Sequence, residues 1–423
     1  MRESATRPEH HLSDPGKEAR ARSGIPVVPA FDGYRAFAIL GVVAIHLTQI
    51  SGLAGDGSTT ESRVIWGTLG RAVEILFIVS GFVVFLPTVA LKGRFGSVRG
   101  FMIRRAARLL PAYWLALLFC LALLVSFDLS NPAVPGVQLP TPDLRDILLN
   151  FSVLSVPARM FTADSPIGFG LDTPMWTLSS EVIFYLLLPL VAVAFFKRPW
   201  WGLAVAAIVT LAWTVAFDHM GSVTEFLGAD LAGTEAIRLH LAAAQQFPAW
   251  AFSFGLGMAG AWVWVRLHDA GITGAVRRRA GWLSLMALGA TAVCALRLGG
   301  DGAFTHESLV WSMAFSASIS IAMVALALCP ESIQKPFATP RIRALGDISY
   351  GVYLSHFPII AVIVASIDFG GMTALGRFAV MTAITLPLAV LYGYLSARFL
   401  EQPVRRRARK FGRRTPLAPP DIR

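Results

Sequence analysis

The stretch Phe31–His46, FDGYRAFAILGVVAIH, opens the first long apolar run of this 423-residue chain. It holds an arginine, Arg35, and a histidine, His46, and apolar runs seldom tolerate either. The two are 11 residues apart, which on a helix is roughly 16 Å of rise at about 1.5 Å per residue. Eleven steps of about 100° return to within about 20° of the starting direction, so both side chains share one face. Across a bilayer core about 30 Å thick, Arg35 would stand at one interface and His46 near the middle.

Composition says that such a bilayer is the setting. The chain is 55% hydrophobic and 15% charged, with a mean hydropathy of +0.60. Soluble domains carry about 25% charged residues, so a polytopic membrane protein is expected. The net charge of +11 would point to nucleic acid in a soluble protein. Here positively charged cytoplasmic loops explain it, and no nucleic-acid partner is expected. Cys120, Cys294 and Cys329 all lie in apolar runs with no C-x-x-C pair, which argues against a metal site or a disulfide framework.

Apolar runs of spanning length fall near residues 37–52, 73–90, 110–127, 182–196, 201–217, 244–265, 282–298, 309–328, 352–367 and 378–400. The expected fold is an all-α membrane protein, a bundle of about ten transmembrane helices in a multi-pass plasma-membrane protein. Connections after even-numbered runs are basic, as in Lys92, Arg94 and Arg99, or Arg277–Arg279, or Arg405–Arg407. Odd-numbered connections are acidic or mixed, as in Asp56 and Glu61, Asp164 and Asp172, Glu225 and Asp230, or Asp301. That alternation predicts both termini in the cytoplasm. Residues 1–29 lack the apolar segment of a signal peptide and read as a disordered cytoplasmic tail. Residues 30–407 form the membrane domain, and 408–423 a basic cytoplasmic tail. The longest connection, residues 128–180, is irregular at Pro132, Pro135 and Pro140. Its apolar patches at 147–156 and 166–178 suggest that it folds back onto the bundle. No internal repeat is evident.

Each ionisable group inside a span costs at least about 2.5 kcal/mol when charged, so each is a functional candidate. Arg35 at a span end has snorkelling as its structural alternative. His46 at mid-span is either a satisfied interhelical histidine or a proton-transfer or nucleophilic group. Glu74 lies near the external end of the second run, and Ser80-Gly81 marks a close helix approach. In FMIRRAARLLPAYW, residues 101–114, Arg104, Arg105 and Arg108 form a basic stripe. It reads either as a lipid-headgroup anchor or as a clamp for a phosphorylated donor. In TPMWTLSSEVIFYLLLP, residues 173–189, Trp176, Ser179, Ser180 and Glu181 stand where a helix is expected to start, where Ser caps and an early Glu are common. In GDISYGVYLSHFPI, residues 346–359, Tyr350, Tyr353 and His356 fall near the cytoplasmic end of the ninth run. Glu401 is expected to pair structurally with a local arginine.

Taken in order, these pieces resemble the acyltransferase-3 family of integral-membrane O-acyltransferases. The shared features are Arg35-x10-His46, Ser80-Gly81-Phe82, Arg105-x-x-Arg108 with Pro111 and Tyr113, Trp176 through Glu181 with Phe184-Tyr185, Ser349-Tyr350 through His356, and Glu401-x-Pro403. The resemblance covers about residues 29–407. It implies transfer of an acyl group, often acetyl, from cytoplasmic acyl-CoA to a hydroxyl of a sugar, cell-envelope glycan or glycosylated metabolite. Acyl-CoA is then a donor substrate, and no bound cofactor or metal is implied. Some members carry an extra extracytoplasmic hydrolase-like domain, for which the residues after the last run are expected to leave no room. By the same resemblance, His46 is the catalytic base or transient acyl acceptor. Glu181 is an active-site acid that orients the imidazole or handles the acceptor's proton from the external side. Arg35, Arg105 and Arg108 hold the donor, while Trp176, Ser179, Tyr350, His356 and Glu74 serve substrate binding. The alternative from another class is a multi-span transporter or flippase of a glycan or lipid. It too needs buried ionisable groups, but it often shows paired halves.

Overall fold

A helix whose large apolar side chains point outward must have lipid, not water, around it. Leu190, Trp201, Ile208, Trp282, Leu285, Met286, Leu391 and Phe399 all do so. The computed structural model describes residues 26–127, 141–162, 166–218, 234–299 and 306–411, and no strand occurs among them. The first 25 residues, Pro132, Pro135 and Pro140 of the long connection, the basic tail from residue 412, and the acids Asp164, Glu225, Asp230 and Asp301 lie outside the described residues.

In chain order the helices are α1 (Ala30–Ser51), α2 (Thr60–Thr68), α3 (Ala72–Ala90), α4 (Val98–Ser126), α5 (Leu144–Phe151), α6 (Trp176–Lys197), α7 (Pro199–Asp218) and α8 (Thr234–Ala244). They continue with α9 (Phe247–Asp269), α10 (Gly274–Leu298), α11 (His306–Leu326), α12 (Glu331–Ala338), α13 (Pro340–Ser366), α14 (Ala374–Ser396) and α15 (Gln402–Ala408). Among the described residues, nine helical segments have the length and hydropathy to cross a membrane. The tenth expected span, α9, has 23 residues, about 34 Å at 1.5 Å per residue. Trp250, Trp262, Trp264 and three glycines dilute its hydropathy, because it packs inside the bundle against α3 rather than against lipid.

Burial separates the layers. The apolar window of α13 is 78% buried and that of α1 61%, against 6% for α7. The core is therefore α1, α3, α9 and α13, with α7 facing lipid. A close crossing joins α3 to α9: a Cβ built on Gly81 falls onto the Phe254 carbonyl, and one on Gly257 falls onto the Ile78 carbonyl. Each glycine admits the other helix's backbone, the packing expected at Ser80-Gly81.

Several boundaries differ from the apolar runs. α13 begins at Pro340, capped by Thr339, whose hydroxyl accepts from the Ile342 N–H at 3.3 Å. A Thr cap with Pro at the first helical position starts a helix well before lipid does. Likewise α6 begins at Trp176, so Ser179, Ser180 and Glu181 stand a turn inside the helix rather than at its cap. The described part of the long connection does fold back. The Asn150 Oδ1 accepts from the Gly168 N–H at 2.8 Å, and its Nδ2 donates to the Pro166 carbonyl at 3.0 Å. Gly168, Phe169 and Gly170 all adopt positive φ to make that turn. Tyr113 and Trp114 of α4 pin the same segment by donating to the carbonyls of Asn150 and Phe151, at 2.7 and 2.9 Å.

Candidate active site

Arg35 and His46 face the interior of the bundle from the two halves of α1, and each lines a different cavity. The first cavity opens toward the basic end. Its charged lining is Arg35, Arg105, Arg108 and Arg405 against Glu181, Asp347 and Glu401. Four arginines facing three carboxylates leave a small positive excess, and the acids help to order the guanidinium groups. Arg35 donates from Nε to the Gly346 carbonyl at 3.0 Å, and its Nη2 donates there as well. It lies 3.9 Å from Asp32 and 4.0 Å from Asp347. A guanidinium fixed this way is a positioned group, not a snorkelling one.

Arg105 sits between aromatic rings, 5.4 Å from the Phe101 centroid and 5.5 Å from that of Tyr185. Its Nε is buried with no hydrogen-bond partner among the described residues. Arg108, one turn on, joins the same lining. Arg104 points elsewhere, donating to the Phe411 carbonyl at 3.1 Å on the exposed surface. The expected three-residue stripe is thus a pair plus an outlier.

Glu181 belongs to this first cavity. It accepts from the Ser80 hydroxyl at 2.9 Å and from the Tyr185 hydroxyl one turn along α6. The sequence expectation is that it orients the His46 imidazole or handles the acceptor's proton; the structure places it in this cavity, while His46 lines the other and bonds to His356. Tyr350 lines the same cavity and donates to the Leu109 carbonyl at 3.0 Å, bracing α13 on α4. Glu401, expected to be structural, also lines it. It ends a π-helical turn, Ala397–Glu401, and accepts from the Ser396 hydroxyl at 3.1 Å. A π turn inside an α-helix often marks a functional site. Residues 397–401 read as ordinary helix in sequence, so that signal was not legible there.

The second cavity lies at the opposite end and holds about 430 Å³, within the range typical of ligand sites. His46, Gln49, Trp66, Trp176 and Trp250 are among its lining residues. Trp176 and Trp250 lie with ring centroids 5.5 Å apart. Asp56 stands on this lining in the connection after α1. The hydroxyl and backbone N–H of Ser58 hold its carboxylate below the usual range, so it is charged at neutral pH. Trp176 was expected from sequence. Trp66 and Trp250 were not, since a tryptophan near a span end ordinarily reads as an interface aromatic.

Thr177 and Tyr353 line both cavities. Their hydroxyls are 2.6 Å apart, and Tyr353 also donates to the Pro174 carbonyl. They form the partition between the two spaces. His356, expected against substrate, lines neither cavity and is fully buried: it stands behind His46, with Nε2 3.0 Å from the His46 Nδ1. Ser179 is likewise taken up elsewhere, donating to the Val153 carbonyl at 2.9 Å, and lines neither space. Glu74 sits apart as well. It pairs with Arg71 at 3.0 Å and accepts from the Ser316 hydroxyl beside a third, smaller cavity. No group of three or more His, Cys, Asp or Glu side chains with metal-binding geometry occurs among the described residues.

Comparison with known proteins adds one firm result. The Acyl_transf_3 family profile, described as an acyltransferase domain, matches residues 28–394. The chain is similar to the acyltransferase MdmB of Streptomyces mycarofaciens, 34% identical over 190 residues, which are 43% of this chain and 45% of that protein. It is also similar to the peptidoglycan O-acetyltransferase OatA of Listeria monocytogenes, 27% identical over 90% of this chain and 56% of that protein. A third relative, the putative peptidoglycan O-acetyltransferase YrhL of Bacillus subtilis, is 25% identical over 92% and 56%. The chain spans about half the length of these relatives. No solved structure matches.

Proposed function

The chain belongs to the acyltransferase-3 family, and from that premise we propose that it moves an acetyl or other short acyl group from cytoplasmic acyl-CoA to a hydroxyl of a glycan or glycosylated small molecule. The observation that carries this reading is the pair of cavities meeting at Thr177 and Tyr353, with arginines on one side and His46 among tryptophans on the other. Arg105, Arg108, Arg35 and Arg405 suit the phosphates of the donor, because a guanidinium binds phosphate through two parallel bonds. The first cavity holds only about 100 Å³. The nucleotide therefore stays at its mouth, and only the thin thioester arm enters toward the partition.

On the other side, flat apolar tryptophan faces suit sugar rings, and the peptidoglycan acetyltransferase relatives favour a cell-envelope glycan. The acceptor hydroxyl then stands near His46, which takes its proton as the oxygen attacks the thioester carbon. The C–S bond breaks, and His46 returns the proton to the departing thiolate, so no net proton is released.

The test uses purified protein in liposomes with labelled acetyl-CoA and soluble peptidoglycan fragments. Parent protein should consume the thioester and O-acetylate the fragments. His46→Ala should abolish both while keeping expression and membrane insertion. Retained transfer by that variant would overturn the assignment, and fragment transport with no thioester consumed would favour a transporter.

A further inference from the structure

His46 and His356 are 310 residues apart in sequence and 3.0 Å apart through Nδ1 and Nε2. The other nitrogen of His356, Nδ1, faces the backbone carbonyl of Tyr353 at 2.5 Å. A carbonyl only accepts, so His356 Nδ1 must carry a hydrogen. His356 is fully buried, and among the described residues neither ring is paired with a carboxylate. A cation there would be uncompensated, which favours a neutral ring. A neutral His356 with its hydrogen on Nδ1 has a bare Nε2, which accepts. The bond between the rings then has one polarity: His46 Nδ1–H donates to His356 Nε2.

The geometry points to His356 as a positioning residue that fixes the tautomer of His46, leaving His46 Nε2 as the bare nitrogen for the acceptor cavity. His46 lines that cavity and His356 does not. A neutral histidine alone divides its hydrogen between two nitrogens, and the Nδ1–H form is the one with a usable lone pair on Nε2. The Tyr353 carbonyl is therefore the origin of the sequence, through His356 to His46. Its position is secured in turn, because the Tyr353 side chain is held at both Thr177 and Pro174. The same arrangement serves the next step. When His46 Nε2 takes the hydroxyl proton, the ring becomes a cation whose Nδ1–H already donates to a neutral acceptor. A buried carboxylate plays that part in hydrolase triads. Here an imidazole does, stabilising the cation without placing a permanent negative charge in the membrane interior.

This assignment rests on His46 acting as the base, so the experiment separates the two ideas. Full-length protein carrying ¹⁵N-histidine, in lipid nanodiscs at neutral pH, is measured by solid-state NMR, with His46 assigned by its loss in His46→Ala. The expected spectrum has a protonated Nδ1 and a non-protonated Nε2 on His46. A protonated Nε2 with a bare Nδ1 would overturn the proposal, whatever the activities show. In the acetyl-CoA assay with peptidoglycan fragments, His356→Leu should lower kcat on the order of 10²-fold or more, the scale of general-base contributions, with KM for acetyl-CoA little changed. His356→Gln places an amide oxygen near the lost Nε2 and should restore much of kcat together with the His46 Nδ1–H signal. Equal kcat in parent and His356→Leu, with the His46 spectrum unmoved, would sink the positioning role. Transfer surviving in His46→Ala would sink the base reading alone, since the tautomer is read independently.

Discussion

Arginine pairs in membrane proteins commonly hold lipid headgroups, and residue-scale detail separates Arg105 and Arg108 from that role. Arg105 lies between the Phe101 and Tyr185 rings and joins Arg108 on a cavity wall, while Arg104, the preceding residue, serves the surface. Hydrogen bonds to charged groups contribute about 1.5–3 kcal/mol each, and about 1.4 kcal/mol is tenfold in affinity. Arg105→Ala with Arg108→Ala should therefore raise the KM for acetyl-CoA by on the order of 10²-fold, with kcat affected less. Direct binding of acetyl-CoA to the purified variant checks it. Unchanged donor affinity with impaired folding would favour the headgroup anchor. At this scale the sequence was informative wherever a side chain was anomalous for its surroundings, as at Arg35, His46 and Arg105. It gave Glu401 only a structural pairing and was silent on Thr177, whose surroundings look ordinary until the helices are assembled.

Among the elements described, α3 and α9 form the most extensive joint, and two glycines make it possible. A methyl group at Gly81 must displace the Phe254 carbonyl, which is backbone and gives little. Gly81→Ala should cost about 1–3 kcal/mol, the usual range for overpacking, and lower the melting temperature in detergent. Gly257→Ala should do the same from the other helix. Gly289→Ala is the control: its added Cβ would meet nothing within 4 Å, so helix propensity should leave it neutral or slightly stabilising. Equal melting of all three variants would refute the close approach as a stability determinant. Gly81 was legible in the sequence as a small residue beside Ser80 in an apolar run, but its partner Gly257 on α9 was not. Periodicity names the face that packs without naming the helix that meets it.

Across the whole molecule, the arginine-lined cavity and the histidine-lined cavity open toward opposite ends of the bundle. From the loop charges we propose that the arginine end is the cytoplasmic one. In intact cells, a membrane-impermeant thiol reagent should label Ser58→Cys and leave Arg407→Cys unlabelled until the membrane is opened. Both positions are exposed, and the native Cys120, Cys294 and Cys329 are buried. The reverse pattern would invert the donor and acceptor sides.

Lipid imposes a local rule on a membrane chain: each spanning segment must satisfy its own backbone and present apolar side chains. That rule operates within some twenty residues, so the sequence by itself determined the helical class, the approximate spans, the shared face of Arg35 and His46, and the presence of an arginine cluster on α4. The same locality explains what it left open. The bond from His46 to His356, the company of Glu181 with Ser80 rather than with the imidazole, and the Thr177–Tyr353 partition all depend on how distant helices cross and rotate. Only the tertiary structure decided them, because a buried polar group takes whichever partner the packed helices bring within about 3 Å.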